Sequence, residues 1–184
     1  MQNEVRIIGG KWRGRKIAFP FTPHLRPTPD RVRETLFNWL APTIVNARCL
    51  DLFAGSGALS FEALSRGAES VMALEKNGAI FNAIQNNIKT LNVEGLTLLK
   101  MDALSYLKQT PIPFDIIFLD PPYSSDLLSQ CLLLLSVKDW LKKDGLIYFE
   151  SNNKTPLELP PSLTLLKEKK AGSVYYFLAT SKRI

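Results

Sequence analysis

The stretch Cys49-Leu50-Asp51-Leu52-Phe53-Ala54-Gly55-Ser56-Gly57-Ala58-Leu59-Ser60 decides the fold. Residues 49–53 are apolar almost without a break, as in a strand buried on both faces of a parallel sheet. Gly55 and Gly57 then allow a sharp turn and a close approach of the backbone to a neighbour. Residues 58–66 read as a helix stopped by Gly67. Downstream the alternation repeats, with strands over 70–74, 96–99, 114–119 and 145–150 and helices over 77–91, 103–108 and 127–140. Ile80, Ile84, Ile88 and Leu91 recur at helical spacing in one helix, and Leu128, Cys131, Leu132 and Leu135 in another. Residues 163–170 and 173–180 read as two strands joined by Ala171-Gly172, a terminal hairpin that adds an antiparallel strand to the sheet. The predicted class is α/β, a Rossmann-like, mostly parallel sheet covered by helices on both faces.

Upstream, residues 5–19 read as a small hairpin punctuated by Gly9, Gly10 and Gly14. Four prolines mark residues 20–29 as a loop. Thr28 is expected to cap the next helix, with Pro29 at its first position. Val32, Leu36, Trp39 and Leu40 give that helix its apolar spacing, and Pro42 ends it. Arg33, Glu34 and Thr35 read as helix surface or pocket wall, and Trp39 and Trp140 as core.

Charge is unevenly spread along the 184 residues. Residues 1–33 carry eight Lys/Arg against two acids, which is the whole net charge of +6; the remainder holds fifteen of each sign. A neutral body with one basic patch suggests a polyanion docked at one place. Lys11, Arg13, Arg15 and Lys16 could hold phosphates without reading sequence. Trp12 could stack on a base or pack the hairpin onto the body. Arg26 and Arg31 could face nucleic acid or a cofactor carboxylate. His24, in a proline-rich loop, reads as solvated. The bland alternative is a solvated basic extension with no partner.

Three acids fall at successive strand ends: Asp51, Glu75 and Asp102. Glu75 can accept hydrogen bonds from both hydroxyls of a ribose. Asp102 could accept from an adenine amino group. Two features argue against a dinucleotide. Ser60 stands where its third glycine belongs, and an acid at Asp51 suits a cationic amino-acid moiety better than a pyrophosphate. The expected cofactor is S-adenosylmethionine, held by Asp51, Phe53, Ala54, Gly55, Gly57, Glu75, Asp102 and Ala103.

Asp120-Pro121-Pro122-Tyr123 follows the fourth strand. An amino nitrogen on an aromatic ring is a poor nucleophile because its lone pair is delocalised. A carboxylate and a backbone carbonyl that accept its two hydrogens favour a pyramidal nitrogen with the lone pair aimed at a methyl donor. Asp120 and the Pro121 carbonyl supply those groups. The prolines hold the backbone still, and Tyr123 offers a flat face for an extruded base. Asp120, Pro121, Pro122 and Tyr123 are therefore the catalytic candidates. Read alone, the segment could be a rigid turn with a surface aromatic.

Together the glycine turn and Asp120–Tyr123 resemble class I amino-methyltransferases. Adding Gly9-Gly10-Lys11-Trp12-Arg13-Gly14-Arg15 and the run Leu25-Arg26-Pro27-Thr28-Pro29-Asp30-Arg31-Val32-Arg33-Glu34-Thr35-Leu36-Phe37-Asn38-Trp39-Leu40, the chain resembles the RsmD family over nearly its whole length. The resemblance implies a seven-stranded sheet and methyl transfer to the N2 of a guanine in 16S ribosomal RNA. It also implies a substrate that is the small subunit, or 16S rRNA with bound ribosomal proteins, rather than free RNA. Met101 and Asn77 depart from the family's pattern beside the cofactor acids. On this reading residues 1–27 form a basic RNA-docking hairpin and loop, and residues 28–184 the catalytic domain.

Bulk composition fits such an enzyme, acting as a cytoplasmic monomer. Apolar residues make up 46% and charged residues 22%, with no apolar run long enough for a transmembrane helix and no secretion signal at the start. Cys49 and Cys131 lack metal-like spacing and read as reduced core thiols, so no metal is expected. The rivals are adenine or cytosine amino-methylation of DNA, glutamine methylation of a protein, a non-catalytic ribosome-assembly module, and a dinucleotide-linked oxidoreductase. Asp120 argues against the protein substrate, where the related motif usually begins with Asn.

Overall fold

The computed structural model describes residues 2–22, 25, 27–122, 126–152 and 159–182. Strands β1 (Gln2–Arg6) and β2 (Lys16–Pro20) form the N-terminal hairpin, with Val5 opposite Ile17 and a 3-10 turn at Gly10–Trp12 between them. Then come α1 (Asp30–Leu40), β3 (Arg48–Asp51), α2 (Ala58–Ser65), β4 (Ser70–Leu74), α3 (Gly78–Leu91), β5 (Leu96–Leu99) and α4 (Ala103–Leu107). The chain continues through β6 (Phe114–Leu119), α5 (Leu127–Val137), β7 (Leu141–Ser151), β8 (Leu163–Ala171) and β9 (Val174–Ser181). The seven-stranded sheet has the order β5-β4-β3-β6-β7-β9-β8. Strand β9 runs opposite to the other six strands of this sheet, as the terminal hairpin required. The strand order reverses between β3 and β6. In open α/β sheets such a reversal leaves a ligand crevice outside the carboxyl ends of the two strands.

Two apolar cores cover the sheet. Helices α1, α2 and α3, with Val5, Ile7, Ile17 and Phe19 of the hairpin, pack on one face. Helices α4 and α5 pack on the other. The hairpin is tied down by polar contacts as well. The Asn87 side chain accepts from the Ala18 amide at 3.1 Å and donates to its carbonyl at 2.8 Å. Gly10, at φ +74°, lies so close to α2 that a Cβ there would sit 1.8 Å from the Ser65 carbonyl oxygen. Only glycine fits that approach.

Several local expectations are corrected. Thr28 does not cap α1: the helix begins at Asp30 after Pro29 with no side-chain cap, and the Thr28 hydroxyl points toward Asp120 instead. Arg33 is not surface. Its side chain is fully buried and donates to the carbonyls of Thr28 (3.1 Å) and Arg6 (2.8 Å), to Glu62 (3.4 Å) and to Asp30. It thereby joins the hairpin, α1 and α2. Helix α5 stops at Val137, short of Trp140, because Lys138 leaves the helix and donates to the last carbonyls of α4 and its exit, Leu107, Lys108 and Gln109. Trp140 is core and lies against Tyr106 with the rings tilted, whereas Trp39 is only half-buried at the sheet's outer edge. Both cysteines are buried, and burial pushes the Cys131 thiol up to about 12 and Cys49 higher still. Neither can act as a thiolate near neutral pH. Among the described residues no helix is long and apolar enough to cross a membrane.

Candidate active site

The glycine turn starts from Asp51, which is 2% exposed at the end of β3. Its carboxylate accepts from the Ser60 hydroxyl at 2.6 Å and the Phe53 amide at 3.3 Å. Ser60, read from sequence only as a mismatch to a dinucleotide motif, is thus the brace that fixes Asp51 against α2. Burial raises the Asp51 pKa to about 6, against these two hydrogen bonds. A nearby cation would restore the charged form. Gly55 and Gly57 both take positive φ, +53° and +80°, and a Cβ on Gly57 would meet the Phe61 ring at 2.8 Å.

Glu75, just past β4, accepts from the Gly55 amide at 3.1 Å and the Asn77 amide at 2.7 Å. One acid therefore clamps the glycine turn to the next loop. Burial raises its pKa, with those amides opposing. Asn77 caps α3, accepting from the amides of Ala79 and Ile80. Asp102 is exposed and caps α4 through the Ser105 amide at 2.9 Å, and the Ser105 side chain together with this amide lowers its pKa. Ala54 and Ala103 are buried, and Phe53 is half-buried. The acids Asp51 and Glu75 keep unused lone pairs at one sheet edge, which suits a ligand bearing hydroxyls and a positive charge.

Asp120 follows β6, the strand beside β3. Asp51 pairs with Phe118, so Asp120 lies two residues further along the neighbouring strand, roughly 8 Å from Asp51 between backbones. A second link comes from residues 25–28. The Leu25 side chain lies 3.0 Å from where a Gly55 Cβ would be, and the Thr28 hydroxyl lies 3.5 Å from Asp120 Oδ2. Three residues of chain span at most about 11 Å. The glycine turn and Asp120 therefore border one mouth. Burial raises the Asp120 pKa well above its ordinary value, and the charges of Glu150 and Asp51 add to it. Glu150, 2% exposed on β7 and bonded by the Tyr148 hydroxyl at 2.6 Å, escaped the sequence reading. Its signal was the same as that of Asp51 and Asp120, an acid ending an apolar strand.

Pro121 is buried and Pro122 exposed, while Tyr123, Arg26 and His24 lie outside the described residues. Lys11, Arg13, Arg15 and Lys16 are exposed on the hairpin, whose tip packs on the C-terminal end of α2 at Ser65, away from the glycine turn at its N-terminal end. Lys16 is paired with Glu4 at 2.7 Å. Trp12 packs partly against the core, its amide donates to Ser65, and Lys11 covers its ring at 4.3 Å. Arg31 is exposed on the first turn of α1.

The strand order and the crevice between β3 and β6 define a class I methyltransferase. The family described as Conserved hypothetical protein 95 matches residues 5–180, and the chain belongs to this family, the RsmD family. It is similar to "Ribosomal RNA small subunit methyltransferase D" of Escherichia coli K12, at 48% identity over 95% of this chain and 89% of that protein. The protein of the same name from Haemophilus influenzae is also 48% identical, over 96% and 94% of the two chains. A solved structure of a putative methyltransferase from Escherichia coli superposes with a TM-score of 0.88 at 46% identity, covering 97% and 98%.

Proposed function

We propose that this chain transfers a methyl group from S-adenosylmethionine to the exocyclic N2 of a guanine in 16S rRNA, within the small subunit or an assembly intermediate. It acts as a cytoplasmic monomer. The observation that carries the reading is the single mouth bordered by Gly55 and Asp120. Asp51, Phe53, Ala54, Gly55, Gly57, Glu75, Asp102 and Ala103 hold the donor. When bound, that donor supplies a sulfonium-activated methyl. Asp120 and the Pro121 carbonyl accept the two amine hydrogens and aim the nitrogen's lone pair. Pro121 and Pro122 keep these acceptors fixed, and Tyr123 stacks on the base. The proton leaves late, to water, so Asp120 serves as an acceptor rather than a strong base. Residues 1–27 form the RNA-docking unit and 28–184 the catalytic one. Lys11, Trp12, Arg13, Arg15, Lys16, Arg26 and Arg31 contact the RNA.

Tritiated-methyl transfer to small subunits, free 16S rRNA and duplex DNA tests the substrate. Label is expected in the subunit arm; label in DNA alone would replace this reading with its nearest rival. Replacing Lys11, Arg13 and Arg15 by Ala should weaken subunit binding and flatten its dependence on salt. The log–log slope should drop by about 0.7–0.9 for each phosphate that is no longer neutralised. A slope equal to that of the unaltered protein would remove the hairpin from docking.

Asp51 gives a pH test of the cofactor site. Its folded pKa is raised, so its proton competes with a bound cation below about 6. Affinity for S-adenosylmethionine should fall as pH drops through that value and level off above it. In Asp51→Asn the step at that pH should vanish. Calorimetric titration from pH 5 to 8 would read it, and an unaltered step in the variant would exclude Asp51.

A further inference from the structure

The charge balance of the body conceals a local excess. Residues 163–182 hold four lysines against one acid, Glu168. The remaining body residues are correspondingly acidic. Three of these lysines, Lys167, Lys169 and Lys170, are exposed together on the outer half of the edge strand β8.

Register locates them relative to the mouth. Leu119 pairs with Phe149, so Asp120 is level with Glu150. Glu150 pairs with Tyr176, and Tyr176 with Lys169. Lys169 thus stands at the height of Asp120, three strand spacings away, or roughly 14 Å. Directly paired residues share a face of the sheet. Lys169 opposite Tyr176, and Lys167 opposite Leu178, therefore lie on the face that also carries α1–α3 and the basic hairpin. That face has an aromatic component too. Trp39 of α1 is half-exposed, stacks on Tyr176 at 5.4 Å between ring centres, and has Lys167 Nζ 5.9 Å from its ring.

We propose that β8, through Lys167, Lys169 and the exposed side of Trp39, is a second RNA-docking surface. It takes the phosphate backbone beside the mouth, at the sheet edge remote from α3 and the hairpin packed on it. A strand whose target base enters beside Asp120 has its neighbouring phosphates within a few nucleotides of this edge. Cations there fix register without reading bases, and Trp39 offers a stacking plane. Two separate docking points, one on the hairpin and one at this sheet edge, fix the orientation of an RNA segment, which one basic hairpin cannot do. The inference rests on the RNA reading above.

Edge-strand lysines also guard against strand addition by another chain. Lys167→Glu/Lys169→Glu separates the two roles, because it keeps the edge charged while repelling phosphate. Methylation of small subunits at about 0.15 M salt should show KM raised on the order of tenfold, with kcat and S-adenosylmethionine affinity near those of the unaltered protein. The Lys167→Ala/Lys169→Ala variant should lower the log–log salt slope by about 0.7–0.9 per lysine. Unchanged KM and slope in both variants, with the unaltered protein active, would overturn the proposal. If the Ala variant associates while the Glu variant stays monomeric with unchanged KM, the guard role alone is correct. An unaltered protein inactive on subunits would refute the RNA reading itself.

Discussion

Asp120→Ala should reduce methyl transfer by at least about three orders of magnitude while changing S-adenosylmethionine affinity only a few-fold. The loss is expected to fall on kcat, since an acceptor that aligns the amine acts in the transition state rather than on the donor. Asp120 lies beside the glycine turn but makes none of its hydrogen bonds, which run instead through Asp51, Ser60 and Glu75. The same geometry sets a pH dependence. Burial and the neighbouring charges of Glu150 and Asp51 raise the Asp120 pKa, and the Thr28 hydroxyl opposes them. An amine needs the ionised acceptor, so activity should decline as pH falls, at a higher pH than an ordinary Asp would set. Single-turnover rates across pH, with donor binding measured in parallel, would read both effects. A variant that still turns over at a tenth of the normal rate would dismiss Asp120 from the chemistry.

The largest stability effect is expected at Glu62→Ala. Glu62 is buried in α2, accepts from the Ile8 amide at 2.9 Å, and pairs with Arg33 and with Arg66 at 2.8 Å. Arg33 is fully buried and bonds to both the hairpin and the segment ahead of α1. Removing the carboxylate leaves a buried guanidinium without its buried anion, which costs about 3–5 kcal/mol. For a domain of this size that is a fall in Tm of roughly 6–20 °C. Glu62→Gln should fall between, since it keeps the shape and one acceptor. Calorimetry would check the order. A shift below about 2 °C for the Ala variant would mean that Asp30, at the partly exposed end of the guanidinium, suffices alone.

The sheet was legible because its strands are apolar runs bounded by glycine turns and acids. Residues 70–74, 96–99 and 114–119 came out with the bounds that periodicity sets. The acids Asp51, Glu75 and Asp120 were legible for the same reason, since each ends such a run. What escaped depends on contacts distant in sequence. Thr28 precedes Pro29 as a capping residue would, yet its hydroxyl faces Asp120, ninety-two residues on. Arg33 lies in a polar stretch of α1, and nothing local says that Glu62 is buried opposite it. Helix α5 looked longer because Lys138 is a good helix former. Its preference is overridden by three carbonyls of another element. The lysines of β8 were hidden by a sum: fifteen charges of each sign over the body say nothing of where each sign gathers.

Mass-spectrometric mapping of 16S rRNA from otherwise identical cells with and without this gene bears most directly on the reaction. One N2-methylguanosine should be present with the gene, absent without it, and restored by the intact chain but not by Asp120→Ala. An unaltered set of N2-methylguanosines, or a lost mark on adenine or cytosine, would contradict the proposal that this mouth presents a guanine amine to the methyl donor.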